Sequence, residues 1–210
     1  MTTLTRLYRI VEDYIVAVVL HTTVRRVVAW CVYGILPVVL LAALVADAPR
    51  VVAVKAGSLA QLLLLVLLFM KPIGTVFGIR LFRRTLVYRR MMGVAMMYGA
   101  LYHAVVLMDV SRIFDAQYYT VSNHVVYGAA ALCITVLLGV TSNDFAIRVL
   151  RRSWKRLHVL AYPLLVLVLL HAGMAEGEMK KVIVLVPAFI VLKVLEHRRV
   201  RITLPIVSRS

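Results

Sequence analysis

Hydrophobic positions along this chain come as long unbroken blocks, separated by short polar stretches crowded with arginine. The blocks are 27–46, 57–79, 91–108, 124–141, 157–173 and 182–195. Period-two alternation would mark half-buried strands, and a one-sided 3.6-residue stripe a helix on a water-facing core. Blocks apolar on every side mark helices with no aqueous face. About 20 such residues cross a bilayer, so the pattern predicts an all-α polytopic membrane bundle of about six transmembrane helices. The last block is short and ends near Lys193, whose stem can snorkel to the interface. Residues 1–26 read differently. Their apolar positions are interleaved with Arg6, Arg9, Glu12 and Asp13, which predicts an amphipathic segment lying on the membrane surface. The expected organisation is therefore a surface segment 1–26, a bundle 27–195 and a basic tail 196–210. The first block shows no small-residue cleavage site and is read as a retained helix, not a signal peptide.

Composition supports the membrane reading: the chain is 63% hydrophobic over 210 residues, with a mean hydropathy of +0.93. A soluble domain would be nearer half apolar. Charge adds orientation. The net charge is +16, from 25 Lys and Arg against 9 Asp and Glu, and its placement alternates. Arg25 and Arg26 precede the first block, Arg80 to Arg90 lie between the second and third, Arg148 to Arg156 between the fourth and fifth, and Arg198 to Arg209 follow the sixth. The other loops hold few cations, offset by Asp47, Asp109, Asp115, Glu176 and Glu178. That is the positive-inside bias in every loop, so both termini are expected in the cytoplasm and the protein in the inner (plasma) membrane. The basic excess then reads as affinity for the lipid bilayer and its anionic headgroups, and nucleic acid is excluded as a partner.

Several chemistries are missing. There is no Gly-x-Gly-x-x-Gly after a strand, no Walker A run and no His-Glu-x-x-His. The apolar blocks carry no Asp or Glu, which removes a carboxylate proton relay. Cys31 and Cys133 have no pairing pattern and read as small buried apolar residues. Lys71, before Pro72, reads as a snorkelling cation, with a cofactor carboxylate or a quinone as the sharper alternative. In the loop 109–123, Tyr118 and Tyr119 suit the membrane interface, and Ser122 and Asn123 suit a helix cap.

The histidines need a stronger account, because an unpaired polar group in the bilayer costs several kcal/mol. His103 is fourteen residues beyond Arg89, and His171 is fifteen beyond Arg156. On parallel helices rising about 1.5 Å per residue, the two imidazoles lie at one depth. Such a pair can clamp a planar iron macrocycle from its two faces, and haem iron commonly takes axial His in a helical bundle. Gly99 and Gly128 are expected to leave room for the ring. His158 lies about 20 Å deeper, the level of a second haem, where the facing helix offers Arg89 and Arg90. Thirteen residues at about 100° put His158 and His171 about 140° apart in phase, and Pro163 between them can change that phase. The residues alone leave open one haem b or two. They also leave open a haem-free scaffold or transporter whose histidines bind a metal ion or bridge helices. His124 reads as an interfacial or capping side chain, His21 as an interfacial one, His197 as solvated, and Met91, Met92, Met96 and Met97 as packing.

The segments "RRMMGVAMMYGALYH" (89–103), "LGVTS" (138–142), "RRSWKRLHVLAYPL" (151–164) and "LLH" (169–171) carry a family resemblance. From Gly57 to about Gly173 the chain resembles the ferric-reductase-like transmembrane domain. Within that family it is most similar to the haem-bearing membrane partners of periplasmic methionine sulfoxide reductases. It departs from them at "SNHVVYG", where Arg-Pro-Tyr is common, at Lys71-Pro72 in place of Thr-Pro, and in the extra N-terminal 26 residues. The resemblance implies that His103, His158 and His171 are haem-related and that Arg89 and Arg90 face the cofactors. It implies an oxidoreductase subunit passing electrons across the membrane. The donor would be a cytoplasmic flavin reductase or FMN, with quinol as the alternative, docking on the basic loops 80–90 and 148–156. The acceptor would be a periplasmic oxidoreductase. A quinone- or ferric-ion-linked haem reductase is the competing expectation.

Overall fold

The computed structural model describes residues 3–45, 47–108, 123–177 and 179–202. Tyr118, Tyr119, Ser122, Asp109, Asp115, Glu178 and Arg209 lie outside the described residues, as does the side chain of Asn123. Among the described residues every regular element is helical. The order is α1 (Thr3–Leu20), α2 (Thr22–Ala43), α3 (Pro49–Val76), α4 (Arg80–Arg84), α5 (Arg89–Leu107), α6 (Asn123–Val140), α7 (Asp144–Leu150), α8 (Arg152–Leu157), α9 (Ala161–Glu176) and α10 (Met179–His197).

Among the described residues four helices are long and apolar enough to cross a bilayer: Thr22–Ala43, Pro49–Val76, Arg80–Leu107 and Arg152–Glu176. His124–Val140 followed by Asp144–Leu150, bent by 94°, makes a fifth if counted as one span. The expected count of six is not reached by length and composition. Helix α10 packs in the bundle against α3 and α9, but it carries Lys180, Lys181, Lys193 and Glu196. Glu196 is the reason that charge is tolerated at its far end. It lies 3.0 Å from Lys71 and 2.7 Å from Lys193, and its side chain is only 10% exposed. A carboxylate so enclosed is costly unless paired. Lys71 thus holds a protein carboxylate on α10, where a cofactor or quinone partner had been the sharper expectation.

Local chemistry explains the breaks. Pro49 begins α3, where a missing N–H costs nothing. Pro37 cannot donate to the carbonyl four residues back, and α2 widens into a π turn at Cys31–Ile35 just before it. The break between α1 and α2 falls at His21, five residues before the expected boundary. There the imidazole accepts from Thr23 N–H (3.3 Å) and caps α2. Asn143 caps α7 through Ala146 N–H at 2.8 Å.

The core is apolar: Leu64, Leu68, Met96, Ala131, Leu138, Leu164, Leu165, Leu169 and Phe189 are all buried. The bundle's outer surface is apolar too, with Val38, Leu41, Val105 and Ile183 exposed, as lipid-facing helices require. Cys31 and Cys133 belong to that outer surface and are exposed, which corrects the expectation that they are buried. A thiol is as compatible with lipid as with a core, so hydropathy could not separate the two.

Helix α1 is clasped to the basic end of the bundle. Glu12 is buried (7% exposed), and its carboxylate accepts from Leu81 N–H at 2.9 Å, satisfying an orphan donor at the start of α4. Tyr88 donates its hydroxyl proton to Val19 O, and Asp13 pairs with Arg80 at 2.8 Å. The last pair is half exposed and contributes little; Glu12 and Tyr88 make the clasp. Beyond α10, Ile202 N–H reaches Val76 O (2.8 Å), so the tail returns to the same end.

Candidate functional site

Two cavities stack along the bundle. The upper one, at the end away from the basic loops, is about 370 Å³ and is lined by α3, α5, α6 and α9, with His103, His124 and His171 on its wall. The lower one is about 1230 Å³ and lies at the basic end, with Arg89, Arg90, Trp154 and His158 on its wall. Leu64 and Met96 line both, so the partition between them is apolar and buried.

In the upper cavity the structure brings His103 and His171 together. Their ring centroids are 6.0 Å apart, with planes at 89°. Nδ1 of His103 contacts Ala53 O at 3.0 Å, and Nδ1 of His171 contacts His124 O at 2.7 Å. A carbonyl oxygen only accepts, so each Nδ1 carries the proton and each Nε2 keeps its lone pair. This is the orientation found where imidazole binds a metal, with the distal nitrogen fixed by a backbone carbonyl. Glycines make space for both rings. A Cβ on Gly57 would stand 2.4 Å from His103 Nδ1, and one on Gly128 would stand 2.6 Å from His171 Nδ1. Gly128 therefore admits an imidazole, and Gly99, whose Cβ would stand 3.0 Å from Ala56 O, sets the close approach of α5 to α3. Gly128 also stands on the wall of the upper cavity, whereas Gly99 does not.

The spacing passes a simple test. Metal–imidazole bonds run about 2.0–2.1 Å, so two opposed Nε2 atoms on one metal are about 4 Å apart. Their ring centroids, each about one bond length behind its nitrogen, are then about 6–7 Å apart. The observed separation falls there, and the interplanar angle is free, because each ring can turn about the shared axis. By that spacing His103 and His171 would be the residues to hold a haem iron in this cavity. His124 stands 5.9 Å from His171 by centroids and contributes its carbonyl to that residue. Among the described residues no group of three His, Cys, Asp or Glu is placed to hold a metal ion alone.

His158 is not part of this pair. It opens a 3₁₀ turn, His158–Leu160, at the base of α9, a tighter winding than the α-helix that follows. Its ring stacks on Trp154 (centroids 4.0 Å, 31°), and its Nε2 lies 3.4 Å from Thr141 Oγ1. The threonine proton goes to Leu137 O at 2.7 Å, so Nε2 of His158 is the donor in that long contact. Trp154 Nε1 donates to Thr141 O at 2.9 Å. Arg89 and Arg90 line the same cavity, as their level in the sequence predicted, and Arg90 is tied to Asp144 at 2.7 Å.

Sequence reasoning missed Gly57, the carbonyls of Ala53 and His124, and the Thr141–Trp154 support of His158. A backbone acceptor leaves no mark in composition. Gly57 had a signal, a glycine at the start of an apolar block, but its partner His103 was 46 residues away.

Residues 56–169, more than half of the chain, match the family described as ferric reductase like transmembrane component. The chain belongs to that family. Its relatives include the heme-binding subunit MsrQ of protein-methionine-sulfoxide reductase from Rhizobium meliloti (strain 1021), 31% identical over 57% of this chain and 55% of the relative. The MsrQ of Xanthomonas axonopodis pv. citri (strain 306) is 30% identical over 61% of this chain and 60% of its own length. That of Agrobacterium fabrum is 29% identical over 68% and 66%. The chain thus spans less than two thirds of each relative's length. No solved structure matches. His103 and His158 both lie inside the segment matching the family, and His171 lies two residues past it.

Proposed function

We propose that this protein is a b-type haem membrane subunit that passes electrons through the bundle, from a donor at the basic end to an acceptor at the opposite end. The observation that carries the reading is the His103–His171 pair, with each Nδ1 on a backbone carbonyl and both residues on the wall of one cavity. Haem supplies one-electron chemistry when bound; the chain's residues supply position and surroundings. Ala53 O and His124 O orient the imidazoles and raise their basicity. Leu64, Leu164, Leu165 and Leu169 keep water from the interior and lower the local dielectric, which tunes potential.

The loop charges support a cytoplasmic basic end in the inner membrane. The donor is then a cytoplasmic flavin reductase or its FMN, steered by the basic loops, with Arg89 facing the flavin phosphate across the lower cavity and Arg90, tied to Asp144, on the same wall. Similarity to MsrQ supports a periplasmic oxidoreductase of the methionine sulfoxide reductase kind as acceptor. His158 stacks on Trp154 on that lower wall and stands where a second haem or the flavin ring would lie.

Absorption spectra and haem stoichiometry of the purified protein test the proposal. A Soret band that shifts on reduction is expected, and a colourless preparation after expression with ample haem would overturn it. Reduction by a flavin reductase with FMN, but not by quinol, is the expected donor result.

A further inference from the structure

The lower cavity carries a charge imbalance that Arg89 and Arg90 do not exhaust. Four cations line it, Arg25, Arg89, Arg90 and Lys155, against one carboxylate, Asp144. That carboxylate is already used, because Asp144 Oδ1 accepts from Arg90 at 2.7 Å. Arg25, Arg89 and Lys155 pair with no acidic side chain among the described residues. They come from three separate elements, α2, α5 and α8. Cations that line one cavity without a carboxylate partner leave it net positive, and an anion bound among them would accept charge-assisted hydrogen bonds. The same cavity is walled by Tyr33, Tyr98, Trp154 and Tyr162, faces on which a flat ring can stack.

We propose that Arg25, Arg89 and Lys155 form one phosphate-binding subsite in the lower cavity, and that Asp144 competes with the bound phosphate by holding Arg90 away from it. For its flavin arm the proposal rests on the donor-side reading above. It goes beyond that reading in assigning Arg25 and Lys155. Arg25 lies on α2, outside residues 56–169, the segment matching the family, so recognition here depends in part on a helix outside that segment. The phosphate can come from FMN or from an anionic lipid headgroup, and the chemistry is the same for both.

The test titrates purified holoprotein with FMN and with riboflavin, which lacks the phosphate, following flavin fluorescence. Retained phosphatidylglycerol is counted in parallel by native mass spectrometry. The variants are Arg25→Gln, Lys155→Gln and Asp144→Asn. Arg148→Gln, which removes an equal charge on α7 away from the cavity wall, is the control. Losing one charge-assisted contact is expected to weaken FMN binding about tenfold in Arg25→Gln and Lys155→Gln, with riboflavin binding unchanged. Asp144→Asn is expected to tighten FMN binding. If FMN binds but Arg25→Gln and Lys155→Gln match Arg148→Gln, the subsite is wrong and the flavin reading stands. If neither flavin binds while phosphatidylglycerol is retained and lost in Arg25→Gln, the subsite stands with a lipid phosphate and the flavin reading fails. Equal affinity for FMN and riboflavin in the unaltered protein, with no lipid retained, would overturn the phosphate subsite outright.

Discussion

Gly57 and Gly128 offer a test that the histidines alone do not. Replacing His103 or His171 with Ala removes a ligand, and each change is expected to abolish the same spectral component, because both would hold one iron. Gly57→Val and Gly128→Val leave both imidazoles in the chain but build a Cβ 2.4 Å and 2.6 Å from their Nδ1 atoms. The rings must then move off Ala53 O and His124 O. Loss or conversion of that spectral component is expected in both, at a level approaching His→Ala. An unaltered spectrum would show that the carbonyl-fixed orientation does not matter for the ligands. His158 sits on the other side of Leu64 and Met96, so His158→Ala should leave the His103–His171 signal intact while changing haem content or reduction at the lower level. Loss of the upper signal in that variant would mean that the two levels are not independent. In the sequence the three histidines and their relative depth were legible. Which nitrogen of each was free was not, since that depends on carbonyls contributed by other helices.

At the level of elements, the clasp of α1 depends on one buried carboxylate. Glu12→Ala leaves Leu81 N–H without its acceptor, at a cost of about 1–3 kcal/mol. Glu12→Gln keeps an acceptor oxygen in the same place. Limited proteolysis should therefore cut within α1 faster in Glu12→Ala than in the unaltered protein, with Glu12→Gln close to normal and haem content unchanged in both. Equal cleavage in all three would remove Glu12 from the clasp. The amphipathic character of α1 was readable from its mixed pattern. Its orientation was not: the acidic residue faces inward, while Leu7, Ile10, Tyr14 and Val18 face outward. That inversion arises because the α4 donor it caps lies inside, and a lipid headgroup region accepts an apolar stripe outside.

For the whole molecule, orientation and docking are the open measurements. With Cys31 and Cys133 changed to Ala, a single cysteine at Met174 is expected to react with an impermeant reagent from the periplasmic side, and one at Arg148 from the cytoplasmic side only. The reverse labelling would exchange donor and acceptor ends. Neutralising Arg83, Arg84 and Arg152 should slow reduction by a cytoplasmic flavin reductase, and added salt should slow the unaltered protein in the same way. A rate indifferent to both would leave these residues a topological role alone.

By itself the sequence determined that this is an all-helical membrane protein, where its apolar blocks begin and end, and that His103 and His171 share a depth with His158 well below. These follow from hydropathy and from a fixed rise per residue, both local properties. Tertiary structure alone decided which groups meet across helices: Gly57 under His103, Gly128 under His171, Glu196 between Lys71 and Lys193, Asp144 on Arg90, and Arg25 beside Arg89 and Lys155 on one cavity. Each of these joins residues from different elements, and their meeting is fixed by how close the helices pack and how they are rotated. No periodicity along one segment encodes the rotation of its neighbour.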